Sequence, residues 1–185
     1  MTTTGFDEAF ESSILLRIKD EPPLDVKICT PPALMVLKLI AWDDKYPERA
    51  DDAIDIKYIL ETYIEAGNDD RLYGDDNDLH DDDFDYTRAS ARILGRDIVR
   101  VSSQTTINTV LQILDRETDE NSDYKLITDM NRSHGSFQGE YFGSTLQLLQ
   151  QLKKVYSKEL HPETRNNIEA LEKRLWGAVD KFVGF

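Results

Sequence analysis

Apolar residues alternate with other residues at Ile14, Leu16 and Ile18, and again at Leu24, Val26 and Ile28, on either side of Pro22-Pro23. A period of two on both sides of a turn predicts a β-hairpin. Two strands alone are marginal in water, because a single hairpin covers neither its apolar face nor its edges. No other stretch of the chain reads as a strand. The partner strands are therefore expected outside this sequence, as if the chain began in the middle of a domain.

Beyond the hairpin the period changes to that of a helix. Thr30-Pro31-Pro32 is a helix entry, with a hydroxyl in capping position and prolines where early helical N–H groups are spare. A helix is predicted from Ala33 to about Asp44, and a second from Pro47 to Ala66, with Ala53, Ile56, Ile59, Leu60 and Tyr63 as its apolar stripe and Gly67 as its stop. The segment 69–85 holds nine aspartates and few apolar residues, so it reads as a loop with at most one helical turn. Helical spacing returns at Tyr86 to Leu94, where Gly95 is read as a break. It continues from Ser103 to about Glu117, from Asp123 to Arg132, and from Tyr141 to Leu160 after a loop at 133–139. A last helix from Pro162 to about Phe182 carries Ile168, Leu171, Leu175, Val179 and Phe182 on one stripe. The expected fold is mainly α: an N-terminal β-hairpin followed by a bundle of about six helices. It divides into the hairpin (1–30), a helical domain (31–160) and a C-terminal helix (161–185).

Composition narrows the class. With 39% hydrophobic and 31% charged residues in 185, the chain has enough apolar surface for one domain with a core. The longest apolar stretch, Ala33 to Trp42, is interrupted by Lys38 and is far short of the roughly 20 residues that span a bilayer. The start of the chain lacks the basic and apolar regions of a signal peptide, so a cytoplasmic protein without a membrane partner is expected. The single cysteine, Cys29, makes neither an internal disulfide nor a cysteine-based zinc site. The 36 acids against 22 bases give a net charge of -14, a field that disfavours direct nucleic-acid binding. The imbalance lies in the body, because residues 153–185 carry seven bases and five acids.

Candidate chemistry is sparse. Asp83-Phe84-Asp85 has the spacing of two strand-borne carboxylates that hold magnesium, but the residues after it are helical and Gly74 is followed by Asp75 rather than serine. The acidic run also fails the calcium-loop rule, which leaves a solvated acidic loop as the plain reading. His80, His134 and His161 are scattered, and no glycine loop matches a phosphate-binding pattern. Cys29, without a histidine in a matching position, reads as packing rather than catalysis. Lys38 is more informative: it interrupts an apolar helix, and a half-buried ammonium needs an anion. Asp52 and Asp55, three apart on the next helix with Arg49 before them, are its expected partners. Two roles stay open, an inter-helix salt bridge and a lysine facing a substrate phosphate.

These same residues carry a resemblance. Pro32-Ala33-Leu34-x-x-Leu37-Lys38-Leu39-Ile40-Ala41-Trp42-Asp43-Asp44-Lys45, then Pro47-Glu48-Arg49-x-x-Asp52-Ala53-x-Asp55-Ile56, resembles the Lys-Leu-x-Ala … Arg-Asp-x-x-Asp signature of predicted bacterial nucleotidyltransferases. Those are similar to AbiEii-type toxins of toxin–antitoxin systems, within the DNA-polymerase-beta-like superfamily. Gly67-Asn68-x-x-Arg71-Leu72-Tyr73, Asp83-Phe84-Asp85 and Ala91-Arg92-Ile93-Leu94-Gly95-Arg96-Asp97-Ile98 extend the likeness, which covers most of residues 5–152.

The resemblance implies magnesium-dependent transfer of a nucleoside monophosphate from a nucleoside triphosphate to an acceptor. In the family the glycine-serine turn and the metal-holding carboxylates precede the part seen here, so the hairpin would be the end of a catalytic sheet. It implies substrate-binding roles, accessory or phosphate-facing, for Lys38, Arg49, Asp52 and Asp55, no catalytic or metal-ligating residue in this chain, and no transfer by the chain alone. Expected partners are an N-terminal segment or second chain that pairs with the hairpin, a homodimer through its edges, or an antitoxin or other basic protein. The alternative is an acidic interaction module, a nucleic-acid mimic whose 69–85 loop engages a basic partner.

Overall fold

The computed structural model describes residues 3–76, 79, 85–132 and 138–159. Among them a short helix α1 (Phe6–Glu11) precedes the hairpin β1 (Ile14–Lys19) and β2 (Leu24–Ile28). Six helices follow: α2 (Pro31–Asp44), α3 (Asp52–Thr62), α4 (Tyr86–Val101), α5 (Gln104–Thr118), α6 (Lys125–Met130) and α7 (Gln138–Glu159). The mainly helical fold with an N-terminal hairpin is as expected, and α1 is an addition. It was hidden because its two aromatics, Phe6 and Phe10, are exposed rather than part of a core stripe. Gly5, at φ 88°, starts it and lies so close to α2 that a Cβ there would stand 3.2 Å from a Val36 methyl.

The core is built by α2 to α7. α4 lies at its centre, packed by α2, α3 and α7, while α5 packs against α2 and α7. Trp42, Met35, Leu39, Ile56, Leu60, Ile93, Leu94, Ile98 and Tyr156 are among its fully enclosed side chains. The hairpin contributes nothing to it. Ile14 pairs with Ile28 and Leu16 with Val26 on one face; Leu15 pairs with Lys27 and Arg17 with Asp25 on the other. An irregularity between Arg17 and Lys19 bends the ribbon. Among the described residues these two strands form the whole sheet.

Three expectations need correction. Gly95 does not break α4, which runs through it to Val101. The glycine serves close approach instead, because a Cβ at this position would meet the Leu152 carbonyl oxygen of α7 at 3.0 Å. Thr30 precedes α2 without a side-chain capping bond, its hydroxyl lying 3.5 Å from that of Ser12. And α3 begins at Asp52 rather than Pro47: Ala50 N–H donates to the Pro47 carbonyl and Asp52 N–H to that of Arg49, so the chain passes through tight i→i+3 turns first.

Two helices do begin with side-chain caps. Ser103 accepts from the Thr106 N–H and caps α5, and Asp85 accepts from the Arg88 N–H and caps α4. Gly67, at φ 88°, follows the turn that ends α3. α7 begins at Gln138, inside the segment expected as a loop, with Gly139 in its first turn. The helix expected over 162–182 lies outside the described residues.

Candidate functional site

The four residues singled out in sequence meet where α2 crosses α3. The Lys38 ammonium donates to Asp52 Oδ1 at 3.0 Å and to Asp55 Oδ2 at 2.6 Å. Arg49 Nε donates to the second oxygen of Asp52 at 2.6 Å. The spacing explains the assembly: Asp52 and Asp55 lie one turn apart in the first turns of α3, where carboxylates also suit the helix dipole. Asp52 is the buried anchor at 9% side-chain exposure, whereas Asp55 is 58% exposed and Arg49 51%. Burial works to lower the Lys38 pKa, but hydrogen bonds and charge from Asp55 and Asp52 outweigh it, so the ammonium is held protonated.

Lys38 and Arg49 also line a cavity of about 540 Å³, with Phe6, Leu34, Leu37 and Lys45 around it. An apolar floor with a few charged groups at the rim, in this size range, is the form of a small-molecule site. Three cations and the carboxylates of Asp44 and Glu48 share that rim. With Asp52 and Asp55 counted, four carboxylates accompany the three cations, so charges of both signs are interleaved there.

The residues described do not fit the magnesium that the resemblance implies. The Lys38 ammonium occupies the space between the Asp52 and Asp55 carboxylates, and Arg49 takes the remaining oxygen of Asp52. Asp85 is bound to the start of α4 rather than carried on a strand, and Asp83 and Phe84 lie outside the described residues. Among the described residues no group of three or more metal-ligating side chains comes together. His80, His134 and His161 lie outside them as well. Cys29 is half-buried, which pushes its thiol pKa up and away from a reactive thiolate.

A second cluster escaped the sequence reading. Asp76, fully buried, accepts from Arg71 Nε and from Arg96, each at 2.6 Å. Arg71 makes a forked pair with Asp97 at 2.6 and 2.9 Å, and Asp97 also accepts from the Tyr63 hydroxyl at 2.7 Å and from Arg100 at 3.0 Å. Arg96 reaches Glu159 at the end of α7, and Arg92 holds Gln151 and the Leu79 carbonyl. Burial pushes the Asp97 pKa up, but the Arg71 and Tyr63 hydrogen bonds outweigh it and leave it lowered. The same burial and the neighbouring Asp97 raise that of Tyr63. The signal was present, because Arg92, Arg96 and Arg100 recur every four residues. Reading Gly95 as a break hid it.

The chain's helices, hairpin and ion-pair sites define a mainly helical domain with a charged crossing at α2 and α3. Comparison with known protein families, with curated proteins and with solved structures finds no match.

Proposed function

We propose that this domain is the helical part of a nucleotidyltransferase-like protein of the AbiEii kind, and that Lys38 and Arg49 face the phosphates of a nucleoside triphosphate. The observation that carries the reading is the meeting of Lys38 and Arg49, both lining one cavity, with Asp52 and Asp55, the other residues of the resembling motif. Two further features agree with it. The apolar floor at Phe6, Leu34 and Leu37 offers a surface to a base or sugar, and Lys45 adds a third positive charge. Asp52 holds both cations in place, and the exposed Asp55 is the anion that an incoming phosphate would replace.

Bound magnesium supplies charge neutralisation and leaving-group stabilisation in this type of transfer. Asp52 and Asp55 are committed to Lys38 and Arg49, so this chain binds and orients the nucleotide and does not transfer it. Its hairpin, which pairs with no further strand among the described residues, is the element that would extend a catalytic sheet.

The test is titration of the full chain with ATP, GTP, CTP and UTP in the presence of EDTA, followed by calorimetry. Loss of one charge-assisted contact corresponds to ~1.5–3 kcal/mol, so Arg49→Met and Lys38→Met should each weaken binding by about tenfold or more. Asp55→Asn should tighten it. Arg49 is half-exposed, so its variant stays folded and decides the matter. Equal affinity in Arg49→Met and the parent chain refutes the assignment, as does the failure of any nucleotide to bind. Magnesium-dependent labelling of an acceptor by the pure chain would overturn the division of labour.

A further inference from the structure

The second strand of the hairpin is complementary to a copy of itself. Its five residues, Leu24-Asp25-Val26-Lys27-Ile28, place an acid and a base on either side of a central valine and an aliphatic residue at each end. Antiparallel pairing about a two-fold axis through Val26 sets Asp25 opposite Lys27 of the second copy and Lys27 opposite its Asp25, with Leu24 opposite Ile28 and Val26 opposite Val26. Opposite charges directly across from each other stabilise an antiparallel pair, whereas like charges destabilise it. The register also keeps each side chain on its own face, because the positions brought together, 24 with 28 and 25 with 27, have the same parity.

The edge that this pairing needs is open. Every residue of β1 and β2 is exposed except the half-buried Val26, and among the described residues no backbone hydrogen bond from outside the ribbon reaches 24–28. Ile14, Leu15, Leu16, Ile18, Leu24 and Ile28 are 40–67% exposed, so the ribbon presents aliphatic surface on both faces. Edges that must stay single are blunted by proline, a bulge or like charges. None of these lies within β2, because the irregularity of the ribbon falls in β1, between Arg17 and Lys19. Asp25 accepts the fork of its own Arg17 at 2.7 and 2.9 Å, and a carboxylate so engaged keeps lone pairs for a second cation. The hairpin is also neutral, with Arg17, Lys19 and Lys27 against Asp20, Glu21 and Asp25, so the contact itself adds no like-charge repulsion to a protein of net charge -14.

We infer that β2 pairs antiparallel with β2 of a second copy about a two-fold axis through Val26, joining two hairpins into one four-stranded sheet. Its order is β1-β2-β2-β1, with Ile14, Leu16, Leu24, Val26 and Ile28 of both copies on one face. A lone ribbon is marginal in water, and added strands with a shared apolar face make it stable. The other edge fits less well. Pairing β1 with its own copy about Arg17 sets two guanidiniums opposite each other, and about Leu16 it sets Arg17 against Leu15 and matches no charge. Pairing β1 of one copy with β2 of the next leaves a free edge at each end and does not close. The inference is independent of the nucleotide reading, because the outer edge of β1 stays available to a further strand in the dimer.

Sedimentation of the full chain over a wide range of concentration tests the pairing. A five-residue edge makes an interface smaller than the ~1,200 Å² at which ordinary stable complexes begin, so a reversible monomer–dimer equilibrium in the micromolar range is expected. Two charge reversals read the register. Asp25→Lys sets two lysines opposite each other, and Lys27→Glu sets two carboxylates opposite each other, so each variant alone should raise the dissociation constant about tenfold or more. An equimolar mixture of the two variants should form a heterodimer at close to parental affinity, since both facing pairs are then attractive. A hairpin merely damaged by substitution does not recover on mixing, so the mixture separates strand pairing from misfolding. A parent chain that stays monomeric at the highest concentration overturns the inference, as do variants that dimerise like the parent or a mixture that fails to recover. Oligomers that keep growing with concentration assign open-ended pairing of β1 with β2 and overturn it too.

Discussion

Gly95 poses a question in which two principles predict opposite signs. Alanine in place of glycine inside a helix stabilises by about 1 kcal/mol through backbone entropy, so Gly95→Ala should help on propensity alone. The structure says otherwise. A methyl at this position stands 3.0 Å from the Leu152 carbonyl oxygen, 3.3 Å from a Leu152 methyl and 3.6 Å from Val155 Cβ. That carbonyl belongs to the hydrogen-bond ladder of α7 and does not yield by itself, so α4 and α7 must separate by some tenths of an ångström. The separation loosens a seam that buries Leu94, Ile98, Leu149 and Leu152 at 0% exposure. Overpacking of this kind costs about 1–3 kcal/mol, which exceeds or cancels the propensity gain and leaves a net loss of up to ~2 kcal/mol. Gly143→Ala in α7 is the matched control, because its methyl would meet nothing within 4 Å and the propensity gain stands alone. In urea unfolding followed by tryptophan emission, a slope of ~2 kcal/mol/M converts these into a midpoint lowered by up to ~1 M for Gly95→Ala and raised by about 0.5 M for Gly143→Ala. If both variants raise the midpoint, the close approach of α4 and α7 is not the reason for the glycine.

Two further outcomes test the polar framework. Asp76→Asn leaves Arg71 and Arg96 buried against a neutral amide and should destabilise by about 3–5 kcal/mol, read as a large fall in melting temperature; an unchanged transition would mean the cluster adds nothing to stability. Glu8 accepts from Ser103 and Thr106, which holds its pKa at about 2 rather than 4.5. Its contribution is therefore complete above pH 4.5 and is lost as pH falls from there through about 2, so Glu8→Gln should flatten the stability–pH curve in that window and lower the plateau above it, as measured by denaturant unfolding at stepped pH.

Local rules made most of the helices readable. Ser103 sits where a capping oxygen is needed, the apolar stripes of α3 and α5 face the core, and alternation at 14–28 yields a hairpin that sets Ile14 against Ile28 and Leu16 against Val26. The misses share one cause, which is that a tertiary contact changed the meaning of a local signal. Gly95 has the local signature of a breaker and the tertiary role of a spacer between two helices. Arg71, Arg96, Asp76 and Asp97 look like surface charges until α4 is continuous and its arginines point inward against the acidic segment and α7. The Lys38 site was legible because its logic is local: an ammonium in an apolar helix demands an anion, and the adjacent helix offers two at the right spacing.

The same site shows how two cations are held at the crossing of α2 and α3. Lys38 and Arg49 are balanced by Asp52 and Asp55, so the cluster is neutral and stable without a ligand. The two carboxylates are not equivalent. Asp52, at 9% exposure, bridges both cations, and removing it would strand them; Asp55, at 58% exposure, makes an ion pair of the surface kind, worth at most ~1 kcal/mol. On the proposed nucleotide reading, a phosphate entering from the cavity would compete with the weaker anion while the stronger one keeps the cations in position. The same distinction runs through the acidic segment 69–85. Asp76 is buried between Arg71 and Arg96 and Asp85 caps the first turn of α4, so both serve the architecture, whereas Asp69, Asp70 and Asp75 are exposed to solvent. In both places the partners each carboxylate engages, not charge count, mark the acids that hold the domain together.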